Sequence, residues 1–185
     1  MALPNFNAQG LLPEGVHPAT AEDLKDRFVT PFPESGTRQK IFNNFRRYQA
    51  AVVALGVHAT QWVDGSFVDQ SRLDPVDVDA VNFCELSALN SLPLTAQLQI
   101  APMLDGRQST KTTYDTHTFL VIRFPAGHPF AASFEKQRRY WRDWFSRPQD
   151  YSGLIKIEAP WRGRKGIVQM TVGHANLCPT VGDAM

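Results

Sequence analysis

Gln61-Trp62-Val63-Asp64-Gly65-Ser66-Phe67-Val68-Asp69-Gln70-Ser71-Arg72-Leu73-Asp74-Pro75-Val76-Asp77-Val78-Asp79-Ala80-Val81-Asn82-Phe83 is the stretch that decides the fold. An apolar run ends at Gly65-Ser66, a polar loop with one proline follows, and Asp77-Val78-Asp79 opens a second apolar run after the ten residues Phe67 to Val76. Both runs read as strands, Val57 to Asp64 and Asp77 to Phe83. Strand side chains alternate faces, so the carboxylates of Asp77 and Asp79 leave one side together. Two bare charges on an otherwise apolar strand cost several kcal/mol unless cations or donors meet them. They are either turn and cap groups at an exposed strand end or a seat for a hard divalent cation. Magnesium takes one or two carboxylates plus substrate phosphates, and Gly65-Ser66 is the natural place for those phosphates. Glycine lets backbone approach an anion, and a short helix opening after Ser66 would add N–H groups and a hydroxyl.

Outward from this centre, helices flank the strands. Thr20 caps a helix with acids in its first turn that should reach about Phe28, where Pro31-Phe32-Pro33 ends it. From Ser35 or Thr37 a longer helix runs to about Leu55, since Ile41, Phe42, Phe45, Tyr48, Val52 and Leu55 recur at three- and four-residue steps before Gly56. Glu85 to Met103, with Pro93 inside, is one kinked helix or a short helix plus a segment. Thr112 to Phe124 is rich in β-branched and aromatic residues and reads as a strand. Phe130 to Phe145 reads as a helix with Phe134, Arg138, Trp141 and Phe145 near one face. Ser152 to Ala159 and Gly166 to Val172 read as two strands around a Pro160-Trp161-Arg162-Gly163 turn. Residues 1 to 16 read as an irregular surface arm. The whole is an α/β (α+β) domain, a small mixed sheet flanked by helices.

A chain of 185 residues fits one domain. Hydrophobic residues make up 43% and charged residues 20%, the balance of a soluble globular protein, and no apolar run approaches the roughly 20 residues that cross a bilayer. The N-terminus lacks the basic start and apolar core of a secretory signal, which points to the cytoplasm. Cys84 and Cys178 lack metal-ligand spacing and read as buried or tail thiols. A net charge of +1 gives no global pull toward nucleic acid. The clusters Arg38-Gln39-Lys40, Arg46-Arg47, Lys136-Gln137-Arg138-Arg139 and Trp161 to Lys165, interleaved with Tyr48, Tyr140, Trp141 and Trp161, are either a basic nucleic-acid face or solvated helix faces.

Gly65-Ser66, ten residues, then Asp77-Val78-Asp79 resembles the signature of the nucleotidyltransferase superfamily that includes DNA polymerase beta, in its minimal form. A wider resemblance is to an uncharacterised bacterial branch of these proteins, carried by Leu12-Pro13-Glu14-Gly15-Val16-His17-Pro18-Ala19-Thr20, by Asp64 to Val68 and by Lys165 to Val168. The resemblance implies transfer of a nucleotidyl group from an NTP to a protein, RNA or small-molecule hydroxyl. It implies two magnesium ions gripped by three carboxylates: Asp77, Asp79 and a third acid on a neighbouring strand. Asp115 is the best candidate for that third acid, which would also help to activate the hydroxyl; Glu85 and Asp105 are weaker ones, falling at turns. Gly65 and Ser66 would hold the phosphates. His117, two residues from Asp115, is a satisfied polar group or a base. Lys111, Arg72 and Lys165 are nucleotide contacts or ordinary surface charges. Small members of the superfamily also imply a toxin–antitoxin or defence setting with a toxin protein or tRNA as partner, and no membrane. The rival reading is a non-catalytic member, an antitoxin or partner-binding module. The chain has no Gly-x-Ser-x-Gly elbow, Walker loop, Gly-x-Gly-x-x-Gly or His-Glu-x-x-His, which removes the motif support for hydrolase, NTPase, dehydrogenase and zinc-peptidase chemistry.

Overall fold

In the computed structural model, which describes residues 3–106, 108–147 and 164–173, the first apolar run forms β2 (Ala59–Asp64) and the second forms β3 (Val78–Glu85). They pair antiparallel, with Asp64 opposite Asp79 and Gln61 opposite Asn82. β4 (Thr116–Arg123) lies parallel to β3 at one edge, setting His117 beside Asp79. On the other side β5 (Ile167–Val172) pairs antiparallel with β2, and the short β1 (Val16–Pro18) pairs parallel with β5. The result is a five-stranded mixed sheet, order β1-β5-β2-β3-β4, flanked by helices.

Period-two alternation divides the strands between two cores. Ala59, Val63, Val78, Ala80, Val168 and Met170 face the larger core, closed by α1 (Ala21–Phe28), α2 (Arg38–Ala54) and α4 (Leu94–Leu104). Trp62, Val81, Phe83, Val121 and Ile167 face the smaller one, closed by Phe134 and Phe145 of α6 (Ala131–Phe145). α2 forms as its spacing requires, burying Ile41, Phe42, Phe45, Tyr48 and Val52 along one stripe. α1 begins at a reciprocal capping box: Thr20 Oγ1 accepts from the Asp23 N–H, and Asp23 Oδ2 accepts from the Thr20 N–H at 2.9 Å.

A polar chain is buried within the larger core. Gln49 Nε2 donates to Gln61 Oε1 (2.8 Å), Gln61 Nε2 donates to Asn82 Oδ1 (2.7 Å), and Asn82 Nδ2 donates to the Leu104 carbonyl (3.0 Å). Each amide is satisfied only when Gln61 and Asn82 stand opposite one another. The chain therefore fixes the β2–β3 register that brings Asp64 and Asp79 together.

Several expectations are corrected. The strand expected from Thr112 begins only at Thr116; Thr112 to Tyr114 close α5 (Gln108–Tyr114). The Thr112 and Thr113 hydroxyls donate to carbonyls four residues back, and Tyr114 packs edge-on against Tyr48, so tertiary contact overrides β propensity. The helix expected after Ser66 is a single three-residue 3-10 turn (Ser66–Val68). Glu85 to Met103 resolves into two helices, α3 (Leu86–Asn90) and α4. The N-terminal arm is irregular but not superficial: Leu3, Leu11 and Leu12 are buried. The Ser152 to Ala159 strand, its hairpin and Cys178 lie outside the described residues; Cys84 is a buried, unbridged thiol. Among the described residues, no helix is long and apolar enough to cross a membrane.

Candidate functional site

The acids converge at one end of the sheet. Asp64 at the end of β2 and Asp79 at the start of β3 are cross-strand neighbours, and by alternation both share the face of Trp62 and Val81. Between them the chain turns at Gly65, whose φ of 87° and ψ of −159° lie in a region only glycine occupies readily. The turn presses on Asp79: a Cβ at Gly65 would sit 2.2 Å from Asp79 Oδ2. Ser66 follows with its Oγ buried and without a hydrogen-bond partner.

Each sequence-singled acid has a partner. Asp77, just before β3 rather than in it, meets Lys111 Nζ of α5 at 2.7 Å. Asp79 Oδ1 is 3.3 Å from His117 Nδ1. The pKa of Lys111 is raised, chiefly by its hydrogen bond to Asp77, and the charges of both Asp77 and Asp79 add to the rise, so its ammonium lies in the field of the pair. Asp115 is drawn elsewhere. It precedes β4 in the left-handed region (φ 49°), and its Oδ2 accepts from Asn44 Nδ2 of α2 at 2.8 Å and pairs with Lys40 at 3.1 Å. Its carbonyl bonds to the Val78 N–H, which keeps its backbone beside the site while its carboxylate is held on α2. Thus His117 stands next to Asp79 in the place expected for a third acid. Glu85 lies at the far end of β3, paired with Arg123, and Asp105 caps the end of α4.

Two residues stand elsewhere than their sequence reading placed them. Lys165, read as a nucleotide contact or an ordinary surface charge, is only 2% exposed and pairs with the fully buried Asp64 at 2.5 Å. Burial pushes the Asp64 carboxyl up to about 7; Lys165 and the Gly65 N–H oppose the rise and Asp79 adds to it. The other is Arg38, taken with Gln39 and Lys40 as a basic surface cluster but fully buried. Its guanidinium donates to the carbonyls of Phe28 (2.8 Å), Phe67 (2.7 Å), Asp69 (2.8 Å) and Arg72, and lies 4.1 Å over the Phe32 ring. Three of those carbonyls belong to the loop after Ser66. The same loop is tied down at Asp74, which accepts from the Gly36 N–H and the Ser35 hydroxyl, and at Pro75, whose carbonyl accepts from Thr37. Arg38 and the residues that lead into α2 therefore hold the middle of the Gly65-to-Asp79 span, from Phe67 to Pro75.

The raised Asp64 pKa predicts a pH dependence. An unfolded aspartate ionises near pH 4, whereas folded Asp64 holds its proton to about 7. Between those values the native state binds the extra proton, so Asp64's contribution to stability falls as pH rises and is flat above about 7. Thermal unfolding from pH 4.5 to 8 should show the wild type losing stability relative to Asp64→Asn up to pH 7; parallel curves would contradict the assignment.

The donor set bears on a cation. Among the described residues no group of three or more His, Cys, Asp or Glu side chains is placed to hold a metal. Asp77 and Asp79 alone match the one or two carboxylates magnesium takes when phosphates and water complete its octahedron, with the unsatisfied Ser66 hydroxyl nearby. They do not make the three-carboxylate, two-ion arrangement.

Fold and site define an α+β domain with a glycine–serine turn and a paired-acid strand at one end of a mixed sheet. The chain belongs to the family of unknown function DUF6932, whose model matches residues 4–171. No curated protein and no solved structure matches it.

Proposed function

We propose that the corner built by Gly65, Ser66, Asp77 and Asp79 binds a magnesium–nucleoside triphosphate and transfers its nucleotidyl group to a hydroxyl acceptor: the acceptor oxygen bonds to the α-phosphorus, the bond from that phosphorus to the β-phosphate oxygen breaks, pyrophosphate leaves and the hydroxyl proton passes to a base. The observation that carries the reading is the closure of Gly65 onto Asp79, with an unsatisfied Ser66 hydroxyl beside the turn. A backbone that crosses directly over a carboxylate, with no side chain between, leaves the closest approach to an anion that a cation on that carboxylate would neutralise. Asp77 and Asp79 would hold the ion, which when bound supplies charge neutralisation of the phosphate oxygens. Lys111 holds Asp77 until then and, being 40% exposed on a flexible stem, is free to move to a phosphate. His117 takes the role first considered for Asp115: with Nδ1–H donated to Asp79, its Nε2 lone pair is a base for the acceptor hydroxyl. The acceptor is a protein, RNA or small-molecule hydroxyl, and a toxin protein is a candidate partner by the resemblance alone.

A second reading, a nucleotide-binding protein without transfer, is favoured by one observation: Asp115 is bound to Lys40 and Asn44 rather than to the acid pair. Incubation with α-labelled NTPs, magnesium and acceptor mixtures separates the two. Transfer by the wild type should fall at least 100-fold in Asp77→Asn plus Asp79→Asn, the scale of removing electrostatic support from a transition state. Absence of label in every mixture, with NTP still bound, would leave the binding reading.

A further inference from the structure

α6 carries two hollows of opposite chemistry on its two flanks. Toward the free edge of β4 lies an open groove of about 850 Å³ lined by Phe119, Leu120, Lys136, Tyr140 and Trp141, with Asp105 at its rim. On the other flank a hollow of about 290 Å³ is lined by Arg138, Arg139, Arg142 and Glu135. Glu135 occupies one side of the Arg138 guanidinium at 3.0 Å, and Arg138 Nη1 is buried with no hydrogen-bond partner among the described residues. The Arg138 side chain is 13% exposed, so the uncovered part of its guanidinium faces the hollow as a charge that pairs with anions. Along α6, Lys136, Arg138, Arg139 and Arg142 outnumber Glu135 and Asp143.

The groove is continuous with the proposed site. His117, the partner of Asp79, lies 4.5 Å ring to ring from Phe119; Phe119 lies 4.4 Å from Trp141, and Tyr140 lies 5.3 Å from Trp141 and is stacked at 6.3 Å on Trp144. Tyr140 is 56% exposed and Trp144 46%, so ring faces reach solvent beside arginines. Exposed aromatic faces with cations around them suit bases that stack and phosphates that pair, and do so without reading sequence.

We infer that α6 and the edge of β4 bind single-stranded RNA, its bases on Tyr140, Trp141 and Phe119 and its phosphates on Arg138 and Arg139, with one end led along the ring path toward His117. RNA is thereby the acceptor class, a step that rests on the proposed transferase reading; the binding surface itself does not. The test is fluorescence anisotropy of a labelled single-stranded 12-mer RNA at several salt concentrations. Wild type should bind, Tyr140→Ala should weaken binding about 5- to 10-fold, and Arg138→Gln plus Arg139→Gln should weaken it further while flattening the log–log salt slope by about 0.7 per lost phosphate contact. Both tyrosine and Arg139 are exposed, and circular dichroism checks the fold of each variant. A polyglutamate of equal charge should bind at least 10-fold more weakly. Absence of RNA binding at low salt, an inert Tyr140→Ala, or polyglutamate binding as tightly, which would mark an acidic protein partner, each overturns the inference. Asp77→Asn plus Asp79→Asn should bind RNA like the wild type: RNA bound without label transferred defeats the transferase reading alone, and label transferred to another acceptor without RNA bound defeats this inference alone.

Discussion

Replacing Arg38 with methionine should lower stability by about 3–5 kcal/mol, a drop of roughly 6–20 °C in Tm for a chain of this size. The side chain keeps a similar apolar stem, so the loss isolates the guanidinium. That group is fully buried and forms no ion pair with a carboxylate among the described residues; burial lowers its pKa to about 10, and the charges of Asp69, Asp74 and Glu34 resist the fall, so it remains cationic at neutral pH. What compensates its burial is four carbonyls, drawn from the end of α1 and the loop after Ser66. Without the guanidinium those carbonyls lose it as a donor, although the Asp69 carbonyl keeps the Arg72 N–H at 3.2 Å; a carbonyl left unpaired in the interior costs about 1–3 kcal/mol unless water enters. Arg38→Lys should recover little, because one ammonium cannot span acceptors that a planar fork reaches together. Hydrogen exchange adds a local readout: amides of residues 67–72 should lose protection before those of β2 and β3. A stable Arg38→Met with an unchanged loop would show that the loop is held by Asp74 and Pro75 alone.

Gly65→Ala is the second substitution with a large expected effect, and it acts on function more than on folding. The added methyl would fall within 2.2 Å of a carboxylate oxygen, and the backbone would be strained as well at φ 87°. Asp79 is on a strand and has little room to retreat, since β2 and β4 flank it through Asp64 and His117. The turn must lift away from the acid pair. Magnesium–NTP affinity should fall at least 30-fold, while far-UV circular dichroism stays that of the wild type. A Gly65→Ala protein that binds NTP normally would remove the turn from the site.

How much of this was legible in the sequence follows from where each signal resides. α2 and α6 announce themselves because a 3.6-residue stripe of Ile, Phe, Tyr, Val and Trp has one solution, and β2 and β3 because their apolar runs are bounded by turn residues. The ten-residue spacing joins the Gly65-Ser66 turn to the Asp77-Asp79 pair, but the register that seats Asp79 against Gly65 is set by the buried Gln61–Asn82 bond. Asp115 did not follow, since a threonine-rich run favours strand locally and only the contacts of Tyr114 with Tyr48, and of Thr110 with Thr118, make it helical up to residue 114. Those contacts shift the strand start past Asp115 and turn its carboxylate toward Lys40. Arg38 carried a faint signal: it lies three and four residues before Ile41 and Phe42, on the apolar stripe itself, where a solvated charge has no place. Asp64 carried another, as an acid ending a strand that is otherwise buried throughout. Its partner could not be read, because Lys165 lies about a hundred residues away and meets it only through the β2–β5 pairing.

The most direct measurement is calorimetric titration of magnesium–NTP into the wild type, Gly65→Ala, and Asp77→Asn plus Asp79→Asn. A single nucleotide seat shared by the glycine turn and the acid pair predicts saturable wild-type binding that needs magnesium and is lost in both variants. Binding that persists without magnesium, or survives the loss of both carboxylates, would contradict it.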